Sequence, residues 1–203
     1  MNTPVLAIDP TTPEPKLIGQ AVHMLAQGEA VVVPTDTVYG IAQLVTPEAS
    51  PELLKRVKER PEEKNIPLLI ASVKDLERYG SELPSYAFEM AAKHWPGALT
   101  LVVRASEEIP KSFTAEDGSV ALRVPAHAIA LALLEAAKTP LACSSANLSG
   151  KAPARTFDEL DPLVALRVAL VVDGGSLTGG IASTVVSCLG EKPVVLRPGP
   201  IVI

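Results

Sequence analysis

Three short stretches and three isolated residues carry the side chains that could do chemistry. Thr35-Asp36-Thr37 alternates hydroxyls with an acid just after Pro34 and the valine run 31–33. Lys58-Glu59-Arg60 places two cations around one acid at the end of a helical pattern. Arginine forks onto phosphate or carboxylate oxygens, while lysine acts as a mobile point charge. Ser144-Ser145-Ala146-Asn147-Leu148-Ser149 crowds small polar side chains behind a strand pattern. Arg123, in Ala121-Leu122-Arg123-Val124, is a charge inside an apolar strand, and burying it requires a structural carboxylate or a ligand anion opposite. Arg197 has the same character, and Ser183 opens a strand after Gly179-Gly180. The shared chemistry is anion recognition from loops at strand ends, where a rigid sheet positions groups on accessible backbone. Each stretch alone also has a plain structural reading: an Asx or ST turn at 35–37, cations complementing a helix C-terminus at 58–60, an N-cap at 144–149, an edge hydroxyl at Ser183.

Other chemistries lack their signatures. The glycines form neither a Walker loop nor a dinucleotide fingerprint, so a phosphate site must rely on basic side chains and hydroxyls. No nucleophile elbow surrounds Cys143, Ser144 or Ser145, and no acid–histidine pair is placed to activate them. Two cysteines and three histidines (His23, His94, His127) fall short of a zinc constellation, and the histidines read as structural or solvated.

Elements able to position these residues follow from periodicity. Pro15–Gln27 repeats apolar residues at helical spacing, with Gly28 suited to a left-handed cap. Ala30–Val33, Ile41–Val45, Pro67–Ala71, Leu99–Arg104, Val120–Val124, Leu141–Ser144, Ala169–Asp173, Thr184–Ser187 and Val194–Leu196 read as strands. Glu52–Glu59, Ser85–His94 and Ala126–Ala137 read as further helices. Strands alternate with helices early and crowd the last third, which predicts an α/β domain on a mixed sheet.

The 203 residues carry 18 Lys+Arg against 23 Asp+Glu, a net charge of −5 that argues against a general basic nucleic-acid coat. Hydrophobic residues make up 47% and aromatics 3%, so the core must be aliphatic. The apolar run Ala128–Leu134 is far below the ~20 residues of a membrane span. Two cysteines and a start without basic and apolar signal regions predict a cytoplasmic protein of one domain, residues 1–203.

Taken jointly and in order, PTDTVYG (34–40), KERPEEKNIPLLI (58–70), WPGALTLVV (95–103), SVALRVPAH (119–127), SSANLSGKAPA (144–154), ASTVV (182–186) and VLRPGPI (195–201) resemble the YrdC-like family of L-threonylcarbamoyladenylate synthases, in its short single-domain form. The resemblance implies a twisted mixed sheet flanked by helices around a large concave pocket. It implies a nucleotidyltransferase that joins L-threonine, bicarbonate and ATP, accompanied by Mg²⁺, into threonylcarbamoyl-AMP with release of pyrophosphate. A partner transferase would then modify the adenosine beside the anticodon of tRNAs reading ANN codons. Carried over position by position, Lys58 and Arg60 become the catalytic phosphate contacts. Ser119, Ser145, Asn147, Pro153 and Arg197 join them around ATP, while Thr35, Arg123, Cys143 and Ser183 fall on the threonine side, with no protein-bound metal. Glu59, beside the clamp, must then point away from phosphate, and Ala71-Ser72 stands where some members carry a histidine. The alternative reading is a YrdC-like paralogue that binds RNA without synthase activity; a weak RNA contact is also compatible with the first reading.

Overall fold

The structure is a computed structural model that describes residues 3–59 and 66–203. Within them lie strands β1 (Val5–Ala7), β2 (Val31–Val33), β3 (Gly40–Leu44), β4 (Leu68–Leu69), β5 (Gly80–Ser81), β6 (Leu99–Ala105), β7 (Ser119–Arg123), β8 (Leu141–Ser145), β9 (Leu170–Asp173), β10 (Thr184–Ser187) and β11 (Val194–Arg197). The helices are α1 (Pro15–Ala26), α2 (Glu52–Lys58), α3 (Asp75–Tyr79), α4 (Ser85–His94), α5 (Ala128–Ala137) and α6 (Pro162–Leu166). All strands join one sheet in the order β1-β9-β2-β3-β8-β4-β7-β6-β10-β11, with β5 paired to β6. Parallel pairs (β1/β9, β9/β2, β4/β7, β6/β10) occur together with antiparallel ones, so the sheet is mixed as the element order predicts.

Successive residues of a strand face opposite sides, so a strand buried on both faces reads as a continuous apolar run. Val32 packs into one core with Ile41, Leu68, Ala142 and Val171, while Val31 and Val33 pack into another with Ala42, Leu141 and Val172. Ile18, Ala21 and Leu25 of α1 and Ile129 and Leu133 of α5 cover this second face. The larger core takes α2, α3, α4 and α6 through Leu54, Leu76, Ala91 and Val164.

The α1/α5 layer reaches only part of its face. On β6, Leu99, Leu101 and Val103 enter the larger core, whereas Thr100 and Val102 line an open cavity. On β7, Leu122 is buried opposite Leu101, while Ser119, Ala121 and Arg123 line the cavity. Ser183, Val185 and Ser187 continue it along β10.

The structure departs from the sequence reading mainly in short elements. β1, α3, β5 and α6 are two to five residues long, too short to show a period. The strand predicted over 67–71 is reduced to Leu68–Leu69, although the Ile70 amide still donates to the Arg123 carbonyl at 2.9 Å. α5 starts at Ala128 because His127 is extended, at φ −140°.

This two-sided arrangement makes a paired prediction. Leu101→Ala should lower unfolding free energy by about 2–5 kcal/mol, because it empties a fully buried site. Val102→Ala, on the cavity face, should cost about 1 kcal/mol or less, since solvent already reaches that side chain. Urea unfolding of both variants measures the difference.

Candidate active site

The cavity has a volume of about 1220 Å³. Thr35, Lys58, Ser119, Arg123, Cys143, Ser145, Asn147, Ser183 and Arg197 all contribute to its wall, although they come from separated parts of the chain. Pro153 is half-buried and stands outside the lining. Arg60 falls outside the described residues.

Lys58, the last residue of α2, is buried and points its ammonium into the loop after β8. Its Nζ donates to the Ser145 carbonyl, to the Asn147 carbonyl at 2.8 Å, and lies 3.2–3.3 Å from Asn147 Oδ1 and Ser145 Oγ. The Ser149 amide donates back to the Lys58 carbonyl at 2.9 Å. The predicted cation and the predicted Ser-x-Asn loop therefore form one unit. Glu59 adopts the left-handed conformation, φ 52°, which ends α2. Its carboxylate accepts from Arg167 at 2.5 Å, so it faces away from the cavity as the sequence reading required.

Arg123 sits at the end of β7 with only 6% exposure. Nε donates to the Gly97 carbonyl at 3.0 Å, Nη1 to Thr37 Oγ1 at 3.1 Å, and Nη2 to Asp36 Oδ1 at 2.7 Å. The sequence left open whether a carboxylate or a ligand would face this arginine, and Asp36 is that carboxylate. Read alone, this stretch is an Asx or ST turn in which Asp36 and Thr37 bond their own backbone, but the local bonds are made by Thr35 instead. Thr35 Oγ1 accepts from the Thr37 and Val38 amides at 3.2 and 3.3 Å and donates to the Val38 carbonyl at 2.7 Å. Asp36 and Thr37, however, turn to Arg123.

Arg197 on β11 lies across the cavity. Its Nε and Nη2 donate to the Ser183 carbonyl at 3.1 and 2.7 Å, and Nη2 is 3.2 Å from Ser183 Oγ. Ser183 Oγ also shares a 2.7 Å hydrogen bond with Thr100 Oγ1. Burial, and secondarily the Arg123 charge, lower the pKa of Arg197, so the two guanidiniums repel within one cavity. Such a pair of cations favours an anionic occupant.

Several of these residues escaped the sequence reading. Thr100 is signalled by its place in Leu99-Thr100-Leu101, a buried hydroxyl between two core leucines. His127, read as structural or solvated, lies within reach of the Asp36 charge: its Nδ1 is buried without a hydrogen-bond partner among the described residues, burial lowers its pKa, and the Asp36 charge partly offsets that. Gly179 lies against the Asp36 and Thr37 carbonyls, where a Cβ would come within 2.4 Å, and no local signal announces that contact.

Burial pushes the Cys143 thiol up to about 12, with Arg123 and Lys58 pulling the other way. A thiol so protonated at neutral pH is a wall of the cavity and not a nucleophile. Burial likewise raises Cys188, to about 11. Neither cysteine should react with iodoacetamide at pH 7.5 in the folded protein, and both should react in denaturant, as intact-mass measurement would record. Rapid alkylation of native Cys143 would contradict this placement.

A Sua5/YciO/YrdC family model, described as telomere recombination, matches residues 23–199. The threonylcarbamoyl-AMP synthase of Pyrococcus abyssi is 36% identical over 88% of this chain and 53% of its own length. A crystal structure of P. abyssi Sua5 complexed with L-threonine superposes with a TM-score of 0.89 at 35% identity, covering 97% of this chain and 58% of that one. The crystal structure of Escherichia coli YciO gives the same TM-score at 29% identity, covering 98% and 96%. The chain thus spans about half the length of the Pyrococcus abyssi and Bacillus subtilis synthases, 84% of a Mycobacterium tuberculosis relative and nearly all of YciO.

Proposed function

The chain belongs to the Sua5/YciO/YrdC family, and from that premise we propose that it condenses L-threonine, bicarbonate and ATP into threonylcarbamoyl-AMP, releasing pyrophosphate and water. One observation carries the reading: the cations and hydroxyls matched to the family's motifs, remote in sequence, surround a single cavity. The names of the synthase relatives and the threonine held by P. abyssi Sua5 support it.

The reaction joins two anions, a threonine carbamate and a triphosphate. Their repulsion must be offset by fixed cations before a carbamate oxygen can reach the α-phosphorus in line with the departing pyrophosphate. Lys58 and the Ser145–Asn147 loop face the phosphates, and Arg60 joins them in this assignment. Ser119, Pro153 and Arg197 complete the nucleotide end. Mg²⁺ arrives as part of the MgATP substrate; among the described residues Glu116 and Asp117 are the carboxylates on the cavity wall, and an ion held by phosphate oxygens and water needs no more than one or two. Hydrogen bonds from the Ser119 hydroxyl and amide hold the Asp117 carboxyl below its ordinary pKa, so it is ionised at neutral pH.

Beyond the Arg197–Ser183 contact, Arg123 takes the threonine carboxylate. Three of its five N–H groups are bonded among the described residues, and the remaining two are directed by that anchoring. Thr35, Ser183 and the Cys143 wall bound the amino-acid side chain. No covalent intermediate is needed; positioning and charge stabilisation supply the acceleration. The product, a mixed anhydride, suits a transferase that passes the threonylcarbamoyl group to an adenosine of tRNA, and RNA contact belongs to that second step.

Purified protein with ATP and bicarbonate should release pyrophosphate only when L-threonine is added, and absence of that dependence would overturn the reading. Lys58→Ala should weaken ATP binding by about 1.5–3 kcal/mol, the value of a charge-assisted contact. Arg123→Ala should raise the threonine requirement while leaving ATP affinity near wild type, as calorimetry with each ligand would read.

A further inference from the structure

A cavity that receives both a triphosphate and an amino acid faces a problem of discrimination. Its arginines attract phosphate as readily as carboxylate, so the polyanion could occupy the amino-acid end and block the reaction. The two guanidiniums are not electrostatically equivalent. Arg197 is held by the carbonyl and hydroxyl oxygens of Ser183, which carry no net charge, and no carboxylate pairs with it among the described residues. Arg123 is paired at 2.7 Å with Asp36, and both side chains are largely buried, at 8% and 14% exposure. Arg123 lines the cavity, and Asp36, which is not part of that lining among the described residues, reaches it through the bond to Nη2. His127, the neighbouring titratable group, is pushed toward its neutral form by burial and does not cancel the carboxylate.

We propose that Asp36 sets the charge selectivity of the cavity: it neutralises Arg123 so that this end accepts a single carboxylate and turns away polyphosphate. The inference rests on the assignment of Arg123 to the amino acid. A carboxylate with one negative charge, on a zwitterion of no net charge, pays little for a nearby Asp36. A triphosphate with three or four charges meets the same repulsion several times over. Coulomb energy in a partly buried site scales with the product of the charges, so one fixed acid separates the two ligands strongly. Hydrogen bonds from Nε and Nη1 to Gly97 and Thr37 hold the guanidinium plane independently of that charge.

The test uses L-threonine binding by calorimetry, with inorganic tripolyphosphate as competitor, on wild type and Asp36→Asn. The substitution keeps the shape and an oxygen acceptor for Arg123 but removes the charge. Wild type should bind threonine with an affinity insensitive to tripolyphosphate. In D36N, tripolyphosphate should weaken threonine binding on the order of tenfold, while threonine alone binds within about threefold of wild type. Competition already present in wild type would overturn the proposal without recourse to the variant. So would a D36N protein, folded by circular dichroism, in which tripolyphosphate still fails to compete, or one that loses threonine binding without gaining sensitivity, which would make Asp36 a purely structural partner. A wild-type protein that binds no threonine would instead remove the functional reading on which the inference rests.

Discussion

A guanidinium on a central strand cannot be buried without oxygen partners on several sides, and Arg123 gathers them from distant segments. The β2–β3 connection supplies Asp36 and Thr37, and the turn before β6 supplies Gly97. Satisfying one charge therefore brings together parts of the chain 26 and 86–87 residues away. An isolated buried charge costs several kcal/mol, so these contacts are conditions of folding as much as of binding. The same partners leave the guanidinium at the wall of the cavity with its plane already set.

That cavity exists because the sheet is only half covered. Helices α1 and α5 bury the face of β1, β9, β2 and β3, and the same face of β7, β6 and β10 carries serines, threonines and small residues instead. The opposite face is continuously aliphatic, with Leu99, Leu101, Leu122 and Val186 at full burial. A chain with few aromatics can pack such a face because β-branched and leucine side chains on neighbouring strands interdigitate at close range. One side of the sheet thus holds the fold together while the other is free to bind.

Charge is distributed unevenly over this surface. A chain of net charge −5 brings Lys58, Arg123 and Arg197 together around one cavity, with Glu116 and Asp117 elsewhere on its wall. Glu59 escapes the cavity by pairing with Arg167, and Asp36 remains beside it only through its bond to Arg123. Superposition on both P. abyssi Sua5 and E. coli YciO at a TM-score of 0.89 places this architecture in relatives of quite different length. The shared part is the fold around this sheet.

Much of this was legible before any coordinates. Long periodic segments such as Pro15–Ala26, Ser85–His94 and the valine run 31–33 declare themselves, because a helix or a doubly buried strand imprints its geometry on residue spacing. The ordered motifs marked the cavity residues, and the solitary charge of Arg123 announced that some carboxylate or anion must face it. Which partner that is, local sequence could not say, since Asp36 is as able to close its own turn as to reach across the sheet. Nor could spacing reveal that Thr100 meets Ser183, that Lys58 braces the loop at 145–149, or that Gly179 has no room for a methyl group. Those relations arise only when segments 80 or more residues apart are brought together by the packed sheet. Short-range order is written residue by residue, whereas the pairing of buried charges is decided by which distant segments the packed sheet brings within hydrogen-bonding distance.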